Sequence, residues 1–317
     1  MRTKKTAVVT GGAGFIGHHL CARLLDNGYR VVCLDNFSSG RPENVRPFRG
    51  HSRFTFYRRD ITRPLRLRED VDEIYNLASP ASPVDYQHRP MDTVQANTLG
   101  VYRVVALALQ KRAKLLQAST SEIYGDPLEH PQPETYHGNV NHLGVRGCYE
   151  EGKRIAETIF SIHHQTYGLR LQIARIFNTY GPGMRENDGR VIPEFIYAAL
   201  RNQPLTVYVG SQTRSFCYVD DLIKGLIRLQ RVPKYIDPVN IGNPKEISML
   251  QLARRVIQMT NSKSRIRILP SQTDDPRQRK PDVRKASHFL KWSPDTNFDL
   301  GLRRTIDDFR NRFTAES

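Results

Sequence analysis

The chain has little of what a secreted, metal-stapled or membrane-spanning protein needs. Its four cysteines, Cys21, Cys33, Cys148 and Cys217, show no paired or metal-ligand spacing. Reduced thiols, mostly buried, are therefore expected instead of a disulfide framework. None of the ten histidines sits with cysteines or acids at a metal-binding interval, so no metal site is expected. No apolar run reaches the about 18 residues of a spanning helix, which excludes membrane insertion by that route. Met1-Arg2-Thr3-Lys4-Lys5 runs straight into the first apolar segment and leaves no room for a signal peptide, so a cytoplasmic protein is expected. No internal repeat or low-complexity segment stands out. Acidic residues are scarce too: 32 Asp and Glu against 48 Lys and Arg give a net charge of +16.

That basic excess is concentrated. One cluster is Arg46, Arg49, Arg53, Arg58, Arg59, Arg63, Arg66 and Arg68; another is Arg277, Arg279, Lys280, Arg284 and Lys285. Such excess can mark nucleic-acid or anionic-surface binding. No nucleic-acid module and no aromatic-interleaved basic motif accompanies it. The expectation is a solvated basic surface on an enzyme of anionic substrates, with part of the second cluster touching substrate phosphate.

What is present is a regular alternation. A length of 317 residues fits one large or two modest domains, and 38% hydrophobic residues suffice for a core. Strand-like runs recur at 6–10, 30–34, 53–58, 72–76, 114–119 and 170–174. Helical patterns lie between them, notably at 14–27, 91–112 and 147–167. This predicts an α/β fold, a Rossmann-type doubly wound parallel sheet. After Arg175 the pattern loosens into a loop, Asn178-Thr179-Tyr180-Gly181-Pro182-Gly183. Residues 190–202 and 248–261 read as helices, and 205–208 and 265–269 as short strands. The expected division is a dinucleotide-binding domain, 1–175 plus about 218–242, and a smaller discontinuous lid domain, 176–217 plus 243–317.

The first strand, Thr6-Ala7-Val8-Val9, runs into Thr10-Gly11-Gly12-Ala13-Gly14-Phe15-Ile16-Gly17 and then into a helical pattern. In such a motif Gly11 permits the tight turn, Gly14 admits a pyrophosphate, and Gly17 lets helix pack on strand. The helix N-terminus then presents free N–H groups to the phosphates. A second strand ends at Asp35, placed to bind the adenosine ribose hydroxyls and to repel a 2′-phosphate, so NAD is expected over NADP. Asp60 ends the third strand, where adenine could lie; an ordinary turn residue is the equal alternative. Phe15, Ile16, Asn36, Ile61, Leu77 and Ala78 complete the candidate cofactor set.

Chemistry is expected at Ala118-Ser119-Thr120-Ser121-Glu122-Ile123-Tyr124-Gly125 and Tyr149-Glu150-Glu151-Gly152-Lys153. Tyr149 and Lys153, four residues apart, share one helix face. The ammonium is expected to lower the phenol's pKa. With Thr120 they can take a proton from a sugar alcohol while a nicotinamide takes the hydride. Glu122, two residues past Thr120, is expected on the same strand face.

Together these motifs and the Asn178-x-x-Gly181-Pro182 loop resemble the extended short-chain dehydrogenase/reductases that act on nucleotide sugars. Within them the chain is similar to the UDP-glucuronate decarboxylase (UDP-xylose synthase) family. The more specific signals are Leu77-Ala78-Ser79-Pro80-Ala81-Ser82-Pro83, Asn187-Asp188-Gly189-Arg190-Val191, Gly210-Ser211-Gln212-Thr213-Arg214-Ser215-Phe216 and Asp274-Asp275-Pro276-Arg277-Gln278-Arg279. The resemblance implies tightly held NAD, oxidation at C4 of the glucuronosyl ring, loss of CO₂ and return of hydride. It implies Tyr149 as base, Lys153 and Thr120 as support, and Glu122 and Arg214 at the carboxylate. It implies Asn178, Arg190, Val191 and Arg279 on the nucleotide, and Tyr86 and Ser121 near the sugar. Ser121 stands where related 4,6-dehydratases carry an acidic residue, which disfavours dehydration. A homodimer through the helices at 91–112 and 147–167 is implied as well.

Two departures bear on substrate identity: Gly183 replaces the arginine of Gly-Pro-Arg-Met, with Arg185 a shifted substitute, and the turn at 208–212 is one residue short, with Val209 replacing a glycine. The rival readings are a UDP-sugar 4-epimerase, an apiose/xylose synthase and, from another class, a non-catalytic dinucleotide-binding protein. The Ala-Ser-Pro repeat and Arg214 favour decarboxylation. The joint presence of Thr120, Tyr149 and Lys153 argues against the non-catalytic reading.

Overall fold

A computed structural model describes residues 5–208, 213–270 and 278–316. The first six strands are β1 (Thr6–Thr10), β2 (Arg30–Asp35), β3 (Phe54–Arg58), β4 (Glu73–Asn76), β5 (Lys114–Thr120) and β6 (Leu171–Ile176). Short strands follow: β7 (Thr179–Tyr180), β8 (Leu205–Tyr208), β9 (Thr213–Ser215), β10 (Cys217–Tyr218), β11 (Val239–Ile241), β12 (Glu246–Ser248), β13 (Ile266–Leu269) and β14 (Gln278–Arg279). The main sheet has seven strands in the order β11-β6-β5-β4-β1-β2-β3, and every pairing in it is parallel. The strand order reverses between β1 and β4, which leaves a crevice at the carboxyl ends of those strands.

The helices are α1 (Phe15–Asp26), α2 (Pro42–Val45), α3 (Pro83–His88), α4 (Pro90–Gln95), α5 (Val101–Lys111), α6 (Gly147–Tyr167), α7 (Val191–Leu200), α8 (Val219–Arg231), α9 (Met249–Thr260), α10 (Arg284–Leu290) and α11 (Phe298–Glu316). Strand alternation divides the core between the two sheet faces. Ala7 and Val9 of β1 join Leu20 and Leu24 of α1 and Leu222 and Leu226 of α8 on one side. Val8 joins Val104 and Leu107 of α5 and Ile159 and Phe160 of α6 on the other. Gly168, at φ 65°, ends α6 in the left-handed conformation that glycine favours, and the α6 bounds match the sequence expectation.

The expected helix at 91–112 is interrupted: α4 and α5 are joined by a π-helical turn, Ala96–Gly100. The expected loop at 178–183 contains β7, paired in parallel with β10. Its two residues are too few to give a period in the sequence. β8 pairs with β13, and β9 lies between β12 and β14. Cys21, Cys33 and Cys217 are buried and Cys148 is half-buried; all four are free. Among the described residues no helix is long and apolar enough to cross a membrane, and no group of His, Cys, Asp and Glu could hold a metal ion. The first arginine cluster surrounds β3, an edge strand, where charge also discourages edge-to-edge pairing.

Candidate active site

A cavity of about 580 Å³ opens along the crevice. At its floor the chain turns from β1 into α1. A Cβ on Gly17 would stand 2.1 Å from the Gly11 carbonyl oxygen, and one on Gly11, at φ +69°, would stand 2.9 Å from the Ala78 backbone. These glycines are required by close backbone approach. Gly14 caps α1 without a side chain, leaving the helix N-terminus open to the cavity. The cradle fits a dinucleotide pyrophosphate.

Asp35 is buried at the end of β2. Its carboxylate accepts from the amides of Ala13 (2.9 Å) and Phe37 (2.7 Å), while burial pushes its pKa up. It therefore braces the glycine loop as well as facing the cavity. Asp60 accepts from the Thr62 amide and hydroxyl, both at 2.8 Å, and from Asn36 at 3.0 Å. It is a turn residue, and with Asn36 and Ile61 it also lines the cavity. Phe15, Ile16, Leu77 and Ala78 line it too.

The redox candidates meet at the end of β5. Lys153 is buried on α6 and donates to the Ala118 carbonyl at 3.0 Å, with Nζ 5.8 Å from the Tyr149 ring centroid. Burial depresses the Lys153 pKa to about 8, against which the Glu157 carboxylate acts. Tyr149 stacks on Tyr86, with centroids 5.0 Å apart and planes at 4°. The expected lysine-acidified phenol is corrected here. Burial pushes Tyr149 above its ordinary value, and the opposing influences are a Thr120 hydrogen bond and the charges of Arg190, Arg146 and Arg279. The Tyr86 hydroxyl is buried and has no hydrogen-bond partner among the described residues, so that side of the site can take a polar ligand atom.

Glu122 reaches the cavity by a route that strand alternation did not predict. β5 ends at Thr120, and Ser121–Tyr124 form a 3-10 turn. The Thr120 hydroxyl caps that turn by accepting from the Glu122 amide at 3.2 Å. The turn, not the pleat, aims the carboxylate. Glu122 then lies between two guanidiniums, paired with Arg146 and with Arg279; the second Arg279 contact is 3.1 Å. Arg146 also pairs with Glu150 at 3.1 Å. Sequence reasoning missed Arg146; its only local signal is the i,i+4 pairing with Glu150 at the start of α6. Arg214 on β9 sits directly beside Arg279 on β14 in the ladder, is buried, and donates to the Thr213 carbonyl at 3.0 Å.

The Ala-Ser-Pro segment folds as the near wall. Ser82 caps α3 by accepting from the Asp85 amide at 3.1 Å, and Ala81 accepts from Arg190 at 3.0 Å. Arg185 bonds Asp85 at 2.5 Å and lines the cavity. Gly183, at φ +83°, gives its amide to Asp308 at 2.9 Å, and any Cβ there would strike the His18 ring. Ser121, Asn178 and Val191 complete the lining on the substrate side. Of the second basic cluster, Arg279 enters the cavity, whereas Arg284 pairs with Asp282 and Lys285 donates to Pro238. Arg277, the Asp274-Asp275-Pro276 block, Val209 and Gly210-Ser211-Gln212 lie outside the described residues.

With this geometry, residues 7–242 match the model of the NAD dependent epimerase/dehydratase family. The chain belongs to that family. It is 49% identical over 310 residues to UDP-glucuronic acid decarboxylase 3 of Arabidopsis thaliana, covering 97% of this chain and 90% of that one. It is 47% identical over 317 residues to UDP-glucuronic acid decarboxylase 1 of Xenopus tropicalis, covering 100% and 75%. Among solved structures it is similar to a UDP-glucuronic acid 4-epimerase from Bacillus cereus in complex with UDP-glucuronic acid and NAD. That likeness has a TM-score of 0.88 at 28% identity over 97% of this chain and 99% of that one.

Proposed function

We propose that this chain decarboxylates UDP-glucuronate to UDP-xylose. The observation that carries the reading is the Glu122–Arg146–Arg279 cluster directly beside Thr120, Tyr149 and Lys153. A redox site that handles only hydroxyls has no need of two guanidiniums bracketing a carboxylate. The near full-length likeness to enzymes named as UDP-glucuronic acid decarboxylases points the same way.

Gly11, Gly14 and Gly17 would cradle the pyrophosphate of NAD, Asp35 the adenosine ribose, and Asp60, Asn36 and Ile61 the adenine end. When bound, NAD would supply a reversible hydride acceptor for C4 of the sugar. Tyr149 takes the C4 hydroxyl proton, and Thr120 holds that hydroxyl in line. The phenolate that accepts this proton is favoured by the Thr120 hydrogen bond and the charges of Arg190, Arg146 and Arg279, with the Lys153 ammonium a further cation beside the ring. A ketone at C4 lies β to the C5 carboxylate, so the electrons released with CO₂ pass into an enolate. Arg146 and Arg279, the latter at Glu122 and not at the nucleotide as the resemblance implied, position the carboxylate, Arg214 supports them from the neighbouring strand, and Glu122 directs the solvent proton that is added at C5. Tyr149 then returns its proton to the C4 oxygen. Ser121 offers no ready proton for expelling a C6 oxygen. Asn178, Arg190 and Val191 hold the uridine diphosphate, and Tyr86 offers its hydroxyl to the sugar carboxylate.

The domain boundaries proposed are those of the sequence: the dinucleotide-binding part takes α8 and β11, and the remaining C-terminal elements form the substrate lid. We also infer a homodimer through α4–α5 and α6. Leu99, Tyr102, Ile155 and Ile162 leave 42, 51, 41 and 52% of their surfaces exposed on those helices. Light scattering at micromolar concentration should give twice the chain mass; a monomer mass would remove this part. Cytoplasmic residence is inferred, and cell fractionation checks it. The test of the activity is incubation with UDP-glucuronate, with CO₂ measured and the nucleotide sugar identified by mass and NMR. UDP-galacturonate without CO₂ would favour the epimerase instead.

A further inference from the structure

Glu157 stands one turn beyond Lys153 on α6, so their side chains share a face. It is held by three hydrogen bonds from two residues. The Ser119 hydroxyl of β5 donates to its Oε1, and Arg175 of β6 makes two hydrogen bonds, Nε to Oε1 at 3.1 Å and Nη2 to Oε2 at 2.8 Å. The Glu157 and Arg175 side chains keep only 12% and 11% of their surfaces. Arg175 is fixed in turn. It donates to the Tyr124 hydroxyl at 3.0 Å and to the Glu134 carbonyl at 2.8 Å, and its guanidinium lies 5.2 Å over the Tyr124 ring. This pair lies behind the catalytic residues and does not line the cavity.

We propose that Glu157 and Arg175 are a positioning pair that sets the charge state of Lys153 and fixes the end of β5 that carries Thr120. Serving a catalytic lysine, the inference rests on the proposed redox role of Tyr149 and Lys153. The geometry supplies two effects. Ser119 adjoins Thr120 and Ala118, and Ala118 is the carbonyl that receives the Lys153 ammonium. Anchoring Ser119 to Glu157 therefore ties the strand end to the same helix as the lysine. Electrostatically, Glu157 favours the ammonium in a buried place that disfavours it, and the Arg175 guanidinium bonded to Glu157 carries the opposite charge. Among the described residues, Lys153 has Tyr149 and Glu157 on its own helix and, beyond Glu157, Arg175 of β6, with Glu134 and Lys285 near Arg175 in turn. Tyr124 of the 3-10 turn and Tyr235 of the loop after α8 lie against Arg175 and the pair. β5 presents Ser119 and Thr120, and the π-helical turn presents Asn97, all neutral.

The prediction is a pair of opposite shifts. Glu157→Gln keeps the shape and removes the anion, leaving Arg175 uncompensated. The Lys153 midpoint then falls by about one unit, as does the alkaline limb of kcat. Arg175→Met leaves Glu157 unshared and moves both upward. Ser119→Ala removes a contact but no charge, and leaves the Lys153 midpoint in place while lowering kcat.

The readout is an NMR titration of purified holoenzyme labelled with ¹³C at lysine Cε, with the Lys153 signal assigned by its loss in Lys153→Met. It is run beside the pH profile of kcat for UDP-glucuronate. Should Glu157→Gln not fold, Glu157→Asp withdraws the carboxylate and must give a smaller shift of the same sign. A Lys153 midpoint that stays put in both charge variants, or that moves the same way in both, overturns the inference. The titration needs no substrate, so it stays readable even where the wild-type chain turns over no UDP-glucuronate, a result that would sink the functional reading alone.

Discussion

Glu122→Gln takes one negative charge from between two guanidiniums and leaves the shape of the site intact. Glu122, Arg146 and Arg279 keep 13, 15 and 6% of their side-chain surfaces, so water screens the cluster poorly. Breaking a buried pair costs ~3–5 kcal/mol, because the remaining charge is left uncompensated. Arg146 retains Glu150 at 3.1 Å, which places the expected cost near the lower figure. The substrate carboxylate can restore the missing anion. UDP-glucuronate should therefore raise the Tm of the variant more than that of the wild type, while UDP-glucose should not. Chemistry should divide as well. Thr120, Tyr149 and Lys153 are untouched, so C4 oxidation persists. CO₂ release loses the group that directs the C5 proton and should slow by about 10²–10⁴-fold. On rapid mixing, reduced-nicotinamide absorbance should appear without a matching amount of CO₂. If oxidation and CO₂ release fall in equal proportion, and UDP-glucuronate stabilises variant and wild type alike, Glu122 has no separate role in carbon–carbon cleavage.

Four further outcomes follow from the same geometry. Tyr149→Phe keeps the ring stacked on Tyr86 and removes the titrating hydroxyl; kcat should drop by several orders of magnitude with UDP-sugar affinity retained, and near-normal turnover would show that another group is the base. Gly17→Ala sets a Cβ 2.1 Å from the Gly11 oxygen and should abolish retained NAD, read as the absorbance ratio of purified protein. Asp35→Ala should narrow a preference for NAD over NADP measured by equilibrium binding, and tighter NADP binding by the unaltered chain would contradict the assignment. Lys153 is depressed to about 8 from 10.5, so activity should decline as pH rises through about 8. Its effect on stability runs the other way. Below 8 the native state carries a buried charge that the unfolded chain solvates, and this penalty lifts as pH rises from 8 toward 10.5. Lys153→Met should flatten that rise in denaturation experiments.

Much of this architecture is legible in local sequence because its signals are local. β1, the glycine turn and α1 occupy Thr6 to Asp26 without interruption, and α6 is closed by Gly168 where its periodicity stops. Tyr149 and Lys153 reveal themselves because four residues make one helical turn. The remainder depends on contacts far apart in sequence. Arg279 meets Glu122 across 157 positions, and Arg214 joins it only because β9 and β14 pair. Glu122 is aimed by a 3-10 turn too short to leave a period. The phenol's acidity is hidden for a similar reason: Lys153 is near in sequence, but burial raises Tyr149 most, and the opposing charges include Arg190 and Arg279 from two distant segments. Glu157 and Arg146 were passed over because a charged residue at helical spacing reads as surface until its partners are known.

The most direct test of the account follows the hydrogen atoms. UDP-glucuronate carrying deuterium at C4 is turned over in ordinary water with no added nucleotide, and the product is examined by NMR. A redox-neutral decarboxylation through a C4 ketone predicts UDP-xylose that keeps its deuterium at C4, takes one solvent hydrogen at C5, and appears in equal amount with CO₂. Deuterium lost from C4, or UDP-galacturonate formed without CO₂, would contradict it.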